Sequence, residues 1–260
     1  MFKSKKKDWV RFVSLIPGIE TVHPPTLATD VKLDWLRDAS IDYKARKKAN
    51  ADEPRARISS VSRCPGISTI FKYAYVMYNP IDFVINTYND PEGRFSSDAS
   101  TNYSNIDGKE FIGSHSAEQL AKFMPFRTDT IHNLVKVQTK WRVNMSPDVL
   151  LLQIPVPYPD HNNFTAVHGI IDGSYETTIN VQLYWHKKNE RVLIKAGTPL
   201  CYYVPVKRDW MPELRVERCT PDDEYLDQAW HYLHDKQFNK NMKEWFVQTK
   251  ALVKDRLNRL

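Results

Sequence analysis

The sequence predicts a mainly β protein with a helical C-terminal tail, and three stretches carry that prediction. In the first, Ile179, Val181, Leu183 and Trp185 alternate with Asn180, Gln182, Tyr184 and His186, the period of two expected of a half-buried strand. In the second, Val135, Val137, Thr139, Trp141 and Val143 alternate with Lys136, Gln138, Lys140 and Arg142. In the third, Thr220-Pro221-Asp222-Asp223-Glu224 combines a Thr cap, Pro at the first helical position and acids in the first turn. The helix it starts runs toward Leu260, with a partial apolar stripe of Trp230, Leu233, Trp245, Phe246, Leu252 and Val253 in basic surroundings.

Taken in order, Trp9 to Ile16 reads as an inner strand, because both of its faces are largely apolar. Thr21 to Thr26 is extended, since Pro24 and Pro25 forbid helix, and His23 within it is expected to pack on neighbours rather than to act as a ligand. Asp30 to Ala39 reads as a short helix capped by Asp30. Residues 40–60 are highly charged with little to bury, an exposed helix or loop inserted into the fold. Cys64, beside Pro65, is expected to be a buried structural thiol rather than a nucleophile, because no His lies near it in sequence to activate it.

Ser68 to Tyr78 reads as a long aromatic strand, joined through Asn79-Pro80 in a hairpin to a strand over Ile81 to Tyr88. Residues 89–108 form a long polar loop, the place for a binding lid. A short helix over residues 113–124 is expected, capped by Ser114 or Ser116. The cations of the Leu134–Val143 strand form a ladder about 20 Å long, read as a solubilising, edge-protecting face in preference to an anion-binding strip. Val149 to Val156 is the next strand. After Trp185 the pattern gives a polar turn, a strand over Arg191 to Ile194, a turn at Ala196-Gly197-Thr198-Pro199 and a strand over Leu200 to Val206. The organisation expected is a single mainly β domain over 1–215, with an insertion near 40–60 and a long loop near 89–108, followed by a helical tail over 216–260.

With 260 residues, 42% of them hydrophobic, the chain is long enough for a full core. The mean hydropathy of −0.54 and 26% charged residues fit a soluble protein, and no apolar run is long enough to span a membrane. The basic start has no apolar segment behind it, so no secretory signal is read. Three cysteines without motif spacing (Cys64, Cys201 and Cys219) argue for a reducing compartment, hence a cytoplasmic location, and against a disulfide framework or zinc. The net charge of +6 and pI near 9.0 permit contact with nucleic acid, but no nucleic-acid motif accompanies them.

Gly169-Ile170-Ile171-Asp172, then Tyr175, then a strand, then Ile194-Lys195-Ala196-Gly197-Thr198-Pro199-Leu200, resembles the dUTPase and dCTP-deaminase superfamily. Met145-Ser146-Pro147-Asp148-Val149-Leu150 is similar to the segment those enzymes place before their phosphate-binding motif, so the resemblance covers about residues 143–206. It implies a β-clip or β-barrel core, trimers, an Asp for the base or sugar at Asp172 and a sugar-stacking aromatic at Tyr175. Three features depart from the family. No Arg or Ser follows the Val149–Val156 strand, the position of the deaminase Glu is Gln182, and the Gly-rich arm gives way to a charged helix. At the level of the whole chain, the order of motifs is also similar to uncharacterised proteins of tailed phages, notably those of marine bacteria.

These observations favour a non-catalytic binding or structural role, as a homo-oligomer or with virion and assembly proteins, in the host cytoplasm or the virion if phage-encoded. The alternative is a diverged nucleotide-binding enzyme with Asp172 as its catalytic residue. Tyr175 would contact the sugar, and Lys136, Lys140 and Arg142 would hold phosphate. No cofactor is expected; Mg2+ belongs only to that alternative. A two-His-one-carboxylate metal reading at His161, His168 and Asp172 lacks the usual H-x-D spacing, so no metal is assigned.

Overall fold

The structure, a computed structural model, describes residues 8–50, 60–89, 95–101, 111–115, 119, 129–174 and 177–216. It is mainly β, with three antiparallel sheets and two α-helices among the described residues. Two units divide the chain, Met1–Lys32 with Pro65–Trp210, and Leu33–Cys64 with Met211–Leu260.

All three sheets belong to the first unit. The centre of the first sheet is β7 (Leu134–Met145), whose odd-numbered residues from Val135 to Met145 are buried while the even-numbered residues from Lys136 are not. It pairs along one side with β11 (Thr177–Trp185), and along the other with β1 (Val10–Ser14) and β6 (Ile112–His115). β9 (Phe164–Ala166) completes the sheet beyond β11. The second sheet runs β10 (Gly169–Asp172), β8 (Val149–Pro155), β13 (Pro199–Lys207), β3 (Tyr75–Tyr78), β2 (Thr26–Leu27). The third joins β12 (Arg191–Ile194), β4 (Phe83–Asn89) and β5 (Phe95–Thr101).

The apolar faces of the sheets share one core. Val137, Val143, Ile179, Val181, Leu183 and Trp185 enter it from the first sheet, Met77, Leu151, Cys201 and Tyr203 from the second, and Phe83, Ile85 and Ile194 from the third. Burying each large aliphatic side chain of this kind stabilises the fold by about 1.5–3 kcal/mol. On its other face the second sheet is covered by α2 (Pro65–Tyr73). Ile67 and Phe71, four residues apart on one helical stripe, are buried, and Phe71 meets Tyr202 edge-on at 6.0 Å.

Two connections cross between the second and third sheets at one corner, β3 to β4 and β12 to β13. Asn79, fully buried, joins them. Its side-chain amide donates to the carbonyls of Ile81, Lys195 (3.1 Å) and Ile194 (3.5 Å). Its backbone N–H donates to Thr198 O, and its carbonyl accepts the N–H of Gly197, both at 2.9 Å. Asp82 Oδ1 accepts the N–H of Ala196 at 2.7 Å. Gly197, at φ +81°, lies against the His23 ring, which would come within 2.5 Å of a Cβ at that position. His23 thus packs on its neighbours, as expected.

The structure corrects several expectations. Residues 68–73 of the expected aromatic strand belong to α2, and only Tyr75–Tyr78 is strand. Pro at the start and the i, i+4 pair of Ile67 and Phe71 outweigh the β propensity of the aromatics. The strands flanking Asn79-Pro80 lie in different sheets, so they form no hairpin. β1 is an edge strand, not an inner one. β7 pairs along both sides, so its cations protect no edge. Within 89–108, residues 95–101 are a strand, which supplies β4 with a second neighbour. Ile112–His115 is a strand that joins the ladder on β7, so the helix expected over 113–124 does not begin at Ser114; Gln119 is helical, and most of the remainder lies outside the described residues. Tyr175 and the tail from residue 217 lie outside the described residues.

In the second unit, α1 (Asp34–Ala49) begins four residues later than expected and runs on to residue 49. Asp34 pairs with Arg37 at 2.8 Å, and Asp42 with Arg46 at 2.7 Å. Its last turn carries Arg46, Lys47 and Lys48, where cations favour the negative end of the helix dipole. Ser60 Oγ donates to Ala39 O, and the Arg63 guanidinium lies 5.7 Å from the Tyr43 ring centroid.

Cys64 is exposed, which overturns the expectation of a buried thiol; it sits at the end of a short 3-10 turn. Cys201, within β13, is buried, and burial pushes its thiol up to about 12. Alkylation of the native protein followed by peptide mass spectrometry will therefore mark Cys64 readily. Cys201 will react at least a thousandfold more slowly, roughly, because its core must open first. Equal labelling of the two would contradict this burial.

Candidate binding site

A cavity of about 200 Å³ opens where β10 of the second sheet approaches the polar face of β11 in the first. Because Ile179 and Val181 point into the core, Thr178, Asn180 and Gln182 point away from it and line one wall. His168, Gly169, Ile170 and Ile171 line it from the β10 side, together with Gln153 of β8. Gln153 is 5% exposed and fixed at both ends of its amide. Its Nε2 donates to Val167 O at 2.6 Å, and its Oε1 accepts the Tyr203 hydroxyl at 2.7 Å. Burial holds the Tyr203 phenol far above its ordinary value, so that hydroxyl stays a donor. The described lining holds no Lys, Arg, Asp or Glu: it is three amides, a threonine hydroxyl, an imidazole, a glycine and two isoleucines.

Two of the cations picked out by sequence flank this wall. Lys136 stands opposite Gln182 and Arg142 opposite Thr178 in the β7–β11 register. Directly opposed residues of an antiparallel pair share a face, with Cβ atoms about 5 Å apart. Lys140 is placed differently. It sits at φ +61° in a bulge, where Asn180 faces Gln138 and Thr178 faces Arg142 with three β7 residues between, and its ammonium lies 4.9 Å from the Phe111 ring centroid.

Asp172, at the end of β10, does not line the described cavity. Both of its carboxylate oxygens accept from the Arg208 guanidinium, one at 2.7 Å, and Oδ1 also accepts the N–H of Ser174 at 2.9 Å. Arg208 donates further to Pro147 O at 2.8 Å and to Ser174 Oγ at 3.1 Å. The clasp ties the turn after β10 to the end of β13 and to the turn before β8. Arg208 first, and the Ser174 N–H second, hold the Asp172 carboxyl well below the usual carboxylate range.

For a carboxyl lowered in the folded state, the stability it contributes is complete above its unfolded value, about pH 4, and is lost as pH falls through the folded value. Asp172→Asn should therefore lower the melting temperature at pH 7 and reduce its loss on acidification below pH 4. Parallel acid limbs for the two proteins would contradict the clasp.

A second polar chain escaped the sequence reading. His186 Nε2 lies 2.7 Å from Thr165 Oγ1, and its Nδ1 3.3 Å from Asp129 Oδ2. It ties β9 to the end of β11. Thr165 and Asp129 lie 21 and 57 residues from His186 in sequence, so no local spacing announces it. His161 packs on Phe164 at 4.5 Å, and burial lowers its pKa. Among the described residues no group of three His, Cys, Asp or Glu side chains gathers to hold a metal, and no helix is long and apolar enough to cross a membrane. No family model matches the chain, and no curated protein matches it.

Proposed function

We propose that the protein is a non-catalytic binding protein whose pocket between β10 and β11 takes a nucleotide. Its core is of the dUTPase-like β-clip kind, and it works as a homo-oligomer, the trimer that the resemblance implies, in an accessory or assembly role. The observation that supports this reading is the amide-rich lining beside two cations. Amides and strand backbone suit the donors and acceptors of a base edge, while Lys136 and Arg142 on the adjoining strand suit a phosphate. Binding is favoured over turnover because the position of the deaminase Glu is Gln182, which cannot shuttle a proton, and the Asp172 carboxylate is engaged by Arg208.

A thermal-shift screen with dUTP and dCTP, with light scattering on the same sample, tests it. A nucleotide at about 100 times its dissociation constant should add roughly 2.7 kcal/mol to stability. Asn180→Leu with Gln182→Leu should abolish that shift while leaving the unliganded melting temperature within a few degrees. No shift with any nucleotide would remove the pocket reading; a monomer by scattering would remove the oligomer.

A further inference from the structure

The solvent face of the first sheet continues the pocket wall across three strands. From the register, Arg11 of β1 stands opposite Asn144, Val13 opposite Arg142, Arg142 opposite Thr178, Gln138 opposite Asn180 and Lys136 opposite Gln182. Tyr184 follows Gln182 on the same face, beside Thr165. Apart from Val13, the side chains named here are cationic, amide, hydroxyl or aromatic. At its far end the Asp129 carboxylate is engaged with His186.

Neighbouring strands are about 4.8 Å apart, so Arg11 lies about 10 Å to the side of β11, and its partner Asn144 is two residues past Arg142, which adds an offset of about 7 Å along the strand from Thr178. A mononucleotide whose base occupies the pocket can reach Lys136 or Arg142, each on the adjoining strand. Arg11 remains for a further phosphate. A β-sheet face that combines a line of cations with an aromatic and amides suits a chain of phosphates with unpaired bases.

We infer that this face binds single-stranded nucleic acid, one nucleotide of which occupies the pocket. The inference rests on the nucleotide reading of that pocket and extends it from a free ligand to a polymer. The net charge of +6 agrees with a polyanionic partner.

Fluorescence anisotropy with a labelled oligo-dT of about 12 nucleotides, within the site sizes of single β modules, tests it against dTMP on the same protein. The oligonucleotide should bind at least tenfold more tightly than dTMP and weaken as salt rises. Arg11→Gln with Lys136→Gln should cost tenfold or more and reduce the salt slope by about 1.4, roughly 0.7 for each phosphate contact removed. Both positions are unburied, so the variant should fold, and circular dichroism will confirm it. Lys47→Gln with Lys48→Gln on α1 should leave binding unchanged. If dTMP binds but the oligonucleotide binds no tighter, the face carries no polymer and the pocket reading stands. If neither binds, both fall. If the α1 pair carries the binding instead, the proposed surface is wrong.

Discussion

Asn79→Asp is expected to destabilise the protein by more than about 3 kcal/mol, with Asn79→Ala costing about 3 kcal/mol. Asn79 is fully buried, and its amide faces three carbonyl oxygens at the corner where two connections cross between sheets. Alanine removes the donors and leaves buried acceptors without their partner. Aspartate is worse despite its matched shape. Ionised, it presents negative oxygens to three carbonyls; protonated, it offers one donor where the amide offers two. Urea unfolding will show the order wild type, Asn79→Ala, Asn79→Asp in midpoint, with similar slopes. An aspartate variant as stable as the wild type would mean that the corner is held by its backbone bonds alone.

Trp185→Ala should cost about 3–5 kcal/mol, the range for a large aromatic removed from a closed core. Trp185 is fully buried at the end of β11 and lies nearly parallel to Phe164, with ring centroids 6.2 Å apart. The indole Nε1 has no hydrogen-bond partner in the described structure. Trp185→Phe consequently forfeits only volume, and about 1–2 kcal/mol is expected. In a protein of this size the alanine variant should melt roughly 10 °C lower. If phenylalanine costs as much as alanine, the indole N–H makes a bond that the burial does not reveal.

Strands whose one face is apolar over many residues were legible in sequence. β7, β8, β11, β12 and β13 were all predicted to within a few residues, β7 and β11 by a sustained period of two, which has no helical equivalent, and the other three as short apolar runs between turns. α2 was not, since Ile, Phe and Tyr favour a strand locally and only the sheet beneath makes the helix pay. Sheet membership was not legible either. Asn79 acts on carbonyls 115 and 116 residues away, and nothing in Asn79-Pro80 distinguishes a hairpin from a crossing. The same limit applied to the site. Asp172 was singled out, but a cation for this region was sought on β7, whereas its partner Arg208 lies 36 residues downstream. Gln182 was noticed as a missing acid, although its position on the polar face of β11 makes it a wall of the cavity. Gln153 looked like an ordinary strand residue; only the fold brings Tyr203 and Val167 to either end of its amide.

The central claim, a pocket that binds a nucleotide without transforming it, is tested most directly by isothermal titration with dUTP and dCTP, with the titrated sample then resolved by ion-exchange chromatography. The account predicts saturable heat for at least one nucleotide, its disappearance in the Asn180→Leu, Gln182→Leu protein, and recovery of the nucleotide unchanged. Absence of heat from both nucleotides would contradict the pocket. Conversion to a monophosphate or a deaminated product, lost in Asp172→Asn, would contradict the non-catalytic reading and make Asp172 the residue that carries the reaction.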